Sequence, residues 1–172
     1  MAFDDVVAAL SAAEGVKGRA EVVPTGRNFT VVIDYAHTPD GLENICRTLR
    51  ECCQGRLVTV FGCGGDRDRT KRPKMGAVAA ALSDYLVVTS DNPRTEEPGA
   101  IIQDILVGLQ GSKTPYTVVE NRVEAIRWVM EYAQPGDTIL LAGKGHETYQ
   151  IVGTEVHHLD EREVVAQVLG GA

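Results

Sequence analysis

Residues 90–94 carry three side chains with distinct chemistry in one short stretch. Asp91 supplies a carboxylate, Asn92 an amide that both donates and accepts, and Arg94 a guanidinium suited to hold a carboxylate through two hydrogen bonds. Pro93 fixes the backbone φ between them, which reduces the ordering that ligand binding requires. On local grounds two interpretations stay open, a ligand-binding loop and a polar turn, since Asn-Pro is common in turns.

Three further loops carry residues that can bind a polar or charged ligand. Asp34 and His37 share one turn and can contact a ribose hydroxyl or a phosphate, although a surface histidine is the default interpretation. The glycines of residues 62–65 let backbone N–H groups approach a ligand, but they fit a tight turn equally well. Residues 143–147 place a lysine, a histidine and a glutamate around two glycines, so a carboxylate there can receive an ammonium group.

The glycine cluster matches neither of two known nucleotide fingerprints. It is not a Walker loop, because no Gly-Lys-Ser/Thr follows it, and its spacing differs from the Gly-x-Gly-x-x-Gly of dinucleotide sites. The alternating charges of residues 66–69 can form a solvated rim. Arg19, which follows Gly18, can reach a phosphate or remain an exposed cation.

The four loops are predicted to follow buried strands of one α/β sheet. Apolar, β-branched runs predict strands at residues 29–33, 57–61, 85–89 and 137–141, and each leads into one of these loops. Apolar residues at helical spacing predict helices between the strands. This alternation indicates a Rossmann-like, mostly parallel sheet with helices on both faces. Because ligands bind at the carboxyl ends of such strands, we expect the four loops to converge at one edge.

The remaining segments complete the predicted fold. Further strands are predicted at residues 19–23, 116–119, 149–152 and 155–158, the last two forming a C-terminal hairpin. An amphipathic helix is predicted at residues 3–13. Thr38 and Thr95 are candidate N-caps of the helices that follow them, and Asp160 caps the last helix.

Composition excludes several classes of partner. The 172 residues are 44% hydrophobic and 24% charged, which is typical of one soluble globular domain. A net charge of −7 argues against a nucleic-acid surface, and no run resembles a membrane span or a signal peptide. We expect a cytoplasmic protein. The four cysteines lack zinc-ligand spacing, so reduced thiols and no bound metal are predicted.

Six motifs, in order, resemble the C-terminal domain of the Mur ligases and within that family the MurE branch. They are Gly-Arg at 18–19, Asp-Tyr-Ala-His-Thr-Pro-Asp at 34–40, Gly-Gly-Asp-Arg-Asp at 64–68, Lys-Arg-Pro at 71–73, Asp-Asn-Pro-Arg at 91–94 and Gly-Lys-Gly-His-Glu at 143–147. Residues 160–163 resemble the family's closing Asp-Asp-Arg-Glu segment. Ala20 departs from the methionine usual after the Gly-Arg pair.

The resemblance implies a ligase of peptidoglycan synthesis. Such an enzyme activates the carboxylate of a UDP-MurNAc-dipeptide with ATP and Mg²⁺, and the amino group of a diamino acid then attacks it. The resemblance assigns meso-diaminopimelate to Arg67, Asp91, Asn92, Arg94, Gly143 and Glu147, and the nucleotide to Arg19, Asp34 and His37. It assigns no catalytic residue to this chain.

The resemblance also implies that the chain is part of a longer enzyme. Residues 1–14 are interpreted as the end of a central ATPase domain or its linker, and residues 15–172 as the C-terminal domain. Mg²⁺ and the UDP-MurNAc-dipeptide are expected to bind mainly through the other domains. The isolated chain is expected to be a monomer without ligase activity.

Three alternatives stay open at this point. Arg94 favours diaminopimelate because that amino acid has a second carboxylate, which lysine lacks, but a lysine-adding ligase is the alternative within the family. The chain can also be a stand-alone amino-acid-binding module. A redox Rossmann domain is the third, although the missing dinucleotide fingerprint speaks against it.

Overall fold

A computed structural model describes residues 15–170, so the helix predicted at residues 3–13 lies outside the described residues. The described part contains eight strands. In chain order they are β1 (Glu21–Val23), β2 (Thr30–Asp34), β3 (Leu57–Phe61), β4 (Tyr85–Val88), β5 (Tyr116–Val118), β6 (Thr138–Ala142), β7 (Tyr149–Val152) and β8 (Glu155–His158). The predicted bounds of β3 and of the hairpin strands are confirmed, and the other predicted strands agree within two residues.

Six strands form one sheet in the order β1-β2-β6-β3-β4-β5. All neighbours are parallel except β1, which pairs antiparallel with β2. Strands β7 and β8 form a separate antiparallel hairpin that turns at Gly153, whose φ is 59°. The prediction of a mostly parallel sheet with a C-terminal hairpin is confirmed.

Within residues 15–170, five α-helices pack against the sheet. They are α1 (Pro39–Cys52), α2 (Lys71–Leu82), α3 (Pro98–Leu106, continued by the 3-10 turn Val107–Leu109), α4 (Arg122–Tyr132) and α5 (Glu161–Gly170). Helices α1, α2 and α3 cover one face and α4 and α5 the other. Thr38 caps α1 as predicted, because its hydroxyl accepts the Gly41 N–H at 3.2 Å.

The central strands are buried on both faces, which explains their continuous apolar sequence. Successive side chains alternate between the two sides of the sheet. Val31 and Ile33 of β2 pack toward α4 and α5, whereas Val32 between them packs toward the other three helices. The resulting two-sided core holds the strands in fixed register, and with them the loops at their carboxyl ends.

The first strand is shorter than predicted. It begins at Glu21 because Gly18 and Ala20 adopt φ values of 74° and 42°, which no strand residue has. The turn is tight, since a Cβ on Gly18 would lie 2.1 Å from the backbone nitrogen of His146. Arg19 therefore lies in a turn before the sheet and not in its first strand.

The predicted role of Thr95 as a helix cap is wrong. Helix α3 begins at Pro98, and Glu97 in the cap position makes no side-chain cap bond. Thr95 instead donates its hydroxyl to the carboxylate of Asp66 at 2.8 Å, and its N–H reaches the same carboxylate. A non-local partner thus displaced the local capping pattern.

All four cysteines are free thiols, in agreement with the sequence prediction. Burial raises the pKa of Cys46 to about 11 and that of Cys63 to about 12. Both therefore remain protonated and poorly nucleophilic at neutral pH.

Candidate functional site

Loops from four parallel strands converge at the carboxyl edge of the sheet, as predicted. The loops after β2, β3, β4 and β6 together line a cavity of about 410 Å³. Its lining residues are Tyr35, His37, Thr38, Gly64, Arg67, Asp68, Lys71, Asp91, Asn92, Arg94, Gly143 and Glu147. All six residues predicted for the amino acid are among them.

The side chain of Asn92 connects three parts of this edge. Its amide nitrogen donates to Glu147 at 3.0 Å, and its amide oxygen accepts from the Ile151 N–H at 3.0 Å and from Lys144 at 3.1 Å. Asn92 is only 4% exposed. Its amide is thus held in one orientation before any ligand arrives.

Lys144 lies at the centre of the site, although sequence analysis did not single it out. Its side chain is fully buried, and its ammonium contacts Asp91 Oδ1 at 3.2 Å, Asn92 Oδ1 at 3.1 Å and Glu147 Oε2 at 3.4 Å. The one available signal was its position between Gly143 and Gly145. Lys144 therefore joins the loop after β4 to the loop after β6.

Arg94 is held by its backbone and by one nitrogen of its guanidinium. Nη1 donates to the carbonyls of Gly65 at 2.9 Å and Asn92 at 3.4 Å. Among residues 15–170, Nε and Nη2 make no hydrogen bond, so two donors stay available to a ligand in the cavity. Arg94 also has a φ of 53°, an uncommon value for a residue with a side chain, which indicates a conformation imposed by its surroundings.

The hairpin imposes that conformation. The Arg94 N–H donates to the Ile151 carbonyl at 3.1 Å, and the Gly153 N–H donates to the Arg94 carbonyl at 2.7 Å. Gln150 donates its side-chain amide to the carbonyl of Asp91 and to the hydroxyl of Ser90. The loop after β4 is therefore bound to β7 along its length, a contact that no local sequence pattern indicated.

The loops after β3 and β4 are also joined to each other. The Gly65 N–H donates to the Asn92 carbonyl at 2.9 Å, and the Asp66 N–H donates to Glu96 at 2.7 Å. A Cβ on Gly65 would lie 1.8 Å from the Pro93 carbonyl oxygen, so only glycine allows this approach. Arg67, the next residue but one, is exposed at the rim of the cavity.

The buried side chain of Arg72 supports the same two loops. Its fully buried guanidinium pairs with Glu96 at 2.7 Å and Asp104 at 2.9 Å, and it donates to the Gly64 carbonyl at 3.2 Å. The Arg72 guanidinium, together with the Asp66 N–H, lowers the pKa of Glu96 to about 2. These contacts fix the start of α2 and the backbone at Gly64, a residue that lines the cavity.

Two arginines connect the C-terminal helix to the site. Arg122 and Glu161 form a fully buried pair at 2.9 Å, and Arg122 also donates to the carbonyls of Ser90 and Ala142 at the ends of β4 and β6. Arg162 donates to the Gly145 carbonyl at 3.0 Å and forms ion pairs with Glu21 and Asp160. The loop after β6 is thus held from α4 and α5.

The predicted nucleotide residues surround a neighbouring cavity of about 390 Å³. It shares Tyr35, His37 and Thr38 with the first cavity, so the two are continuous along the loop after β2. Arg19 is exposed, and its guanidinium lies 4.9 Å from the centre of the Tyr35 ring. His37 is exposed, with Nδ1 2.9 Å from the Tyr35 carbonyl oxygen.

Asp34 has a structural role in addition to the one predicted for it. Its Oδ2 accepts the Ala20 N–H at 2.7 Å and its Oδ1 accepts the Ala36 N–H at 2.8 Å. These bonds hold the turn that carries Arg19 against the end of β2. A contact between Asp34 and a nucleotide stays a prediction.

A comparison with known proteins identifies the family of this chain. Residues 18–145 match the sequence profile of the Mur ligase glutamate ligase domain. The chain belongs to the Mur ligase family. The resemblance inferred from the six ordered motifs is therefore confirmed.

Curated Mur ligases extend the comparison. The UDP-N-acetylmuramoyl-L-alanyl-D-glutamate–2,6-diaminopimelate ligase of Syntrophomonas wolfei is 53% identical over 167 residues, which cover 96% of this chain and 34% of that protein. The ligase of the same name from Caldanaerobacter subterraneus is 56% identical over 154 residues, which cover 90% and 32%. A solved structure of a ligase with this name has a TM-score of 0.84 at 38% identity and covers 99% of this chain and 35% of that one. The chain thus spans about a third of the length of the curated relatives that it matches.

Two features are absent from the part of the chain that the structure describes. Within residues 15–170, no group of three or more His, Cys, Asp or Glu side chains is arranged to hold a metal ion. No helix in the described residues has both the length and the apolar character to cross a bilayer.

Proposed function

We propose that this chain is the C-terminal domain, residues 15–172, of an ATP-dependent ligase that adds meso-diaminopimelate to UDP-MurNAc-L-Ala-D-Glu in peptidoglycan synthesis. Residues 1–14 would end the preceding domain or form its linker. One observation carries the proposal. The cavity is lined by the Arg94 guanidinium, two of whose nitrogens make no hydrogen bond within residues 15–170, and by the carboxylates of Asp91 and Glu147.

This pair of opposite charges matches the side-chain end of diaminopimelate. That end has a carboxylate and an ammonium on one carbon, whereas lysine has an ammonium alone. In the proposed complex Arg94 binds the carboxylate through Nε and Nη2, and Glu147 with the Gly143 carbonyl binds the ammonium. Arg67 and Asn92 bind the remaining polar groups of the amino acid.

The chain's own residues would bind and orient the reactants. ATP would supply the phosphoryl group that activates the dipeptide carboxylate as an acyl phosphate. The amino group at the other end of the bound diamino acid would then attack the acyl carbon and release phosphate. Holding the amine in position is itself a large contribution to such a step. Arg19, Asp34 and His37 would contact the nucleotide, because they line one cavity that adjoins the amino-acid cavity and that has the Arg19 cation in its lining. No Mg²⁺ ligand is assigned to this chain, since the described residues contain no suitable cluster.

The test compares two diamino acids in the intact ligase that carries this chain. Arg94→Ala is expected to lower kcat/KM for diaminopimelate. The decrease should correspond to a loss of about 2–5 kcal/mol of transition-state stabilisation, the cost of leaving a bound charge without its partner. The much slower reaction with lysine should hardly change, because lysine has no carboxylate at that position. Phosphate release measures both reactions.

Arg47→Ala is the matched control, because Arg47 is exposed on α1 and pairs only with Glu43 within the described residues. It should leave both rates unchanged. Equal rates of the wild-type enzyme with diaminopimelate and lysine would contradict the role of Arg94 and favour a lysine-adding ligase.

A further inference from the structure

The buried ammonium of Lys144 stands between two residues that the proposed function assigns to the substrate. Its side chain is fully buried, while those of Asp91 and Glu147 are only 10% and 13% exposed. A charge removed from water to this extent is unfavourable unless it is paired and hydrogen-bonded. Lys144 satisfies this condition only through the site, because the hydrogen-bond partners of its ammonium within residues 15–170 are Asp91, Asn92 and Glu147.

The backbone around Lys144 forces the side chain inward. Gly143 and Gly145 on either side have φ values of 114° and 54°, which favour glycine. A Cβ on Gly145 would also lie 2.6 Å from the Cβ of Tyr35 and 2.8 Å from the Gly18 carbonyl oxygen. The two glycines therefore place the lysine where its ammonium reaches both carboxylates.

Both carboxylates keep hydrogen-bonding capacity that residues 15–170 do not use. Lys144 contacts Oδ1 of Asp91 and Oε2 of Glu147, and Asn92 uses the same Glu147 oxygen. The other carboxylate oxygens, Oδ2 and Oε1, accept no hydrogen bond from residues 15–170. The negative charge of Glu147 is also the largest cause of the raised pKa of Tyr149, whose ring lies 5.8 Å from the Lys144 ammonium.

We propose that Lys144 is a positioning residue that sets the charge of the amino-acid pocket. Two carboxylates and one ammonium leave a single net negative charge, which matches the one ammonium at the side-chain end of the substrate. Without Lys144, the two neighbouring carboxylates would repel each other. The pocket would then favour uptake of a proton, or binding of a second cation, over binding of the single substrate ammonium. The proposal rests on the proposed function, because it takes that substrate as the ligand.

The charge-setting role differs from a purely structural one in a measurable way. If Lys144 only fills space and joins two loops, then changing Asp91 as well should lower the affinity for the substrate further. If Lys144 neutralises a surplus carboxylate, then Asp91→Asn should restore the charge balance that Lys144→Met removes. The deciding result is therefore whether Asp91→Asn restores the substrate affinity that Lys144→Met lowers.

The experiment measures KM for diaminopimelate and for ATP in the intact ligase with Lys144→Met, Asp91→Asn and the double variant. Lys144→Met should raise KM for diaminopimelate about 30-fold, the lower end of the effect of truncating a buried charge pair, with KM for ATP unchanged within twofold. In the double variant, KM for diaminopimelate should be at least about tenfold lower than in Lys144→Met. Lys113→Met, at an exposed lysine before β5 and so at the opposite edge of the sheet, is the matched control and should match the wild type.

Two results would overturn the proposal. One is a KM for diaminopimelate within twofold of wild type in Lys144→Met, and the other is a double variant as impaired as Lys144→Met or worse. Circular dichroism checks that each variant is folded; if Lys144→Met does not fold, the double variant must fold and bind, and its failure counts against the proposal. A wild-type enzyme that does not use diaminopimelate refutes the proposed function instead, so the two failures are distinguishable.

Discussion

Glu96 illustrates how a single carboxylate can stabilise the base of the site. It accepts hydrogen bonds from the buried guanidinium of Arg72 and from the Asp66 N–H, both at 2.7 Å. The first contact is the main cause of its lowered pKa, about 2 against an ordinary value of 4.5. The ionised form of Glu96 is therefore favoured by folding, which makes stability depend on pH.

The free energy of unfolding should report this ion pair. Because the pKa of Glu96 is lower in the folded chain, its contribution is fully present above pH 4.5 and is lost as the pH falls from 4.5 toward 2. Glu96→Gln is expected to destabilise the chain by about 2 kcal/mol at pH 7, allowing for the partial exposure of the carboxylate. Near pH 2.5 the difference between variant and wild type should be much smaller. Urea denaturation at both pH values measures it.

Glu51→Gln serves as the control, because Glu51 is an exposed residue of α1. Its effect should be within about 0.5 kcal/mol at either pH. A Glu96→Gln effect of the same size at pH 7 and pH 2.5 would show that the stabilisation does not come from the charge.

Sequence patterns indicated the residues that line the cavity better than the residues that support them. Arg94 and Glu147 lie in loops after strands, where polar residues indicate a site whatever their partners. Lys144 and Arg122 are fully buried cations, but an isolated Lys or Arg in a sequence is by default expected to be exposed. Their burial becomes evident only when the fold brings them to partners elsewhere in the chain, such as Glu161 for Arg122.

At the scale of elements, the loops after β3 and β4 form one unit because Gly65 lets them touch. Gly65→Ala would place a Cβ 1.8 Å from the Pro93 carbonyl oxygen, so the two loops must separate. We expect a loss of about 2–3 kcal/mol in the free energy of unfolding, the scale of overpacking in a closely packed region. Denaturant titration of the purified chain measures the loss.

Gly99→Ala is the matched substitution, in the first turn of α3. The nearest atom to its Cβ would be a Glu120 carboxylate oxygen at 3.7 Å, which is ordinary contact. This variant should be neutral or slightly stabilising, since alanine favours helix. Equal losses in both variants would contradict the steric explanation.

Elements themselves were predictable where the pattern was long and apolar. The buried strands β3 and β6 were found because β-branched runs bounded by glycine indicate a central strand. The docking of β7 on the loop after β4 was not predictable. It depends on backbone hydrogen bonds such as the one between Arg94 and Ile151, and these leave no trace in the types of side chain. Thr95 was misassigned for the same reason, since its true partner Asp66 is 29 residues away.

At the scale of the whole molecule, the chain is expected to need the rest of the ligase for activity. It spans about a third of its curated relatives and contains no Gly-Lys-Ser/Thr phosphate loop. The 172-residue chain, given ATP, diaminopimelate and the UDP-MurNAc-dipeptide, should release no phosphate above background. By calorimetry it should bind diaminopimelate only weakly, with Kd near the millimolar range or above, because closure of further domains commonly completes such a site.

The full-length relative from Syntrophomonas wolfei provides the positive control for that assay. Turnover by the 172-residue chain alone would contradict the prediction. Tight binding of diaminopimelate without ATP would instead favour a stand-alone amino-acid-binding module.

The strand order has a consequence for how the protein is made. Strand β6 lies between β2 and β3, yet it is separated from them by some of the longest stretches of sequence in the sheet. During synthesis on the ribosome, β2 and β3 emerge early, and each must wait with the backbone N–H and C=O groups of one edge unpaired until residues 138–142 appear. Unpaired edges of this kind invite association between nascent chains. Residues 138–142 therefore complete the centre of the sheet, and the loop that follows them completes the cavity at its carboxyl edge.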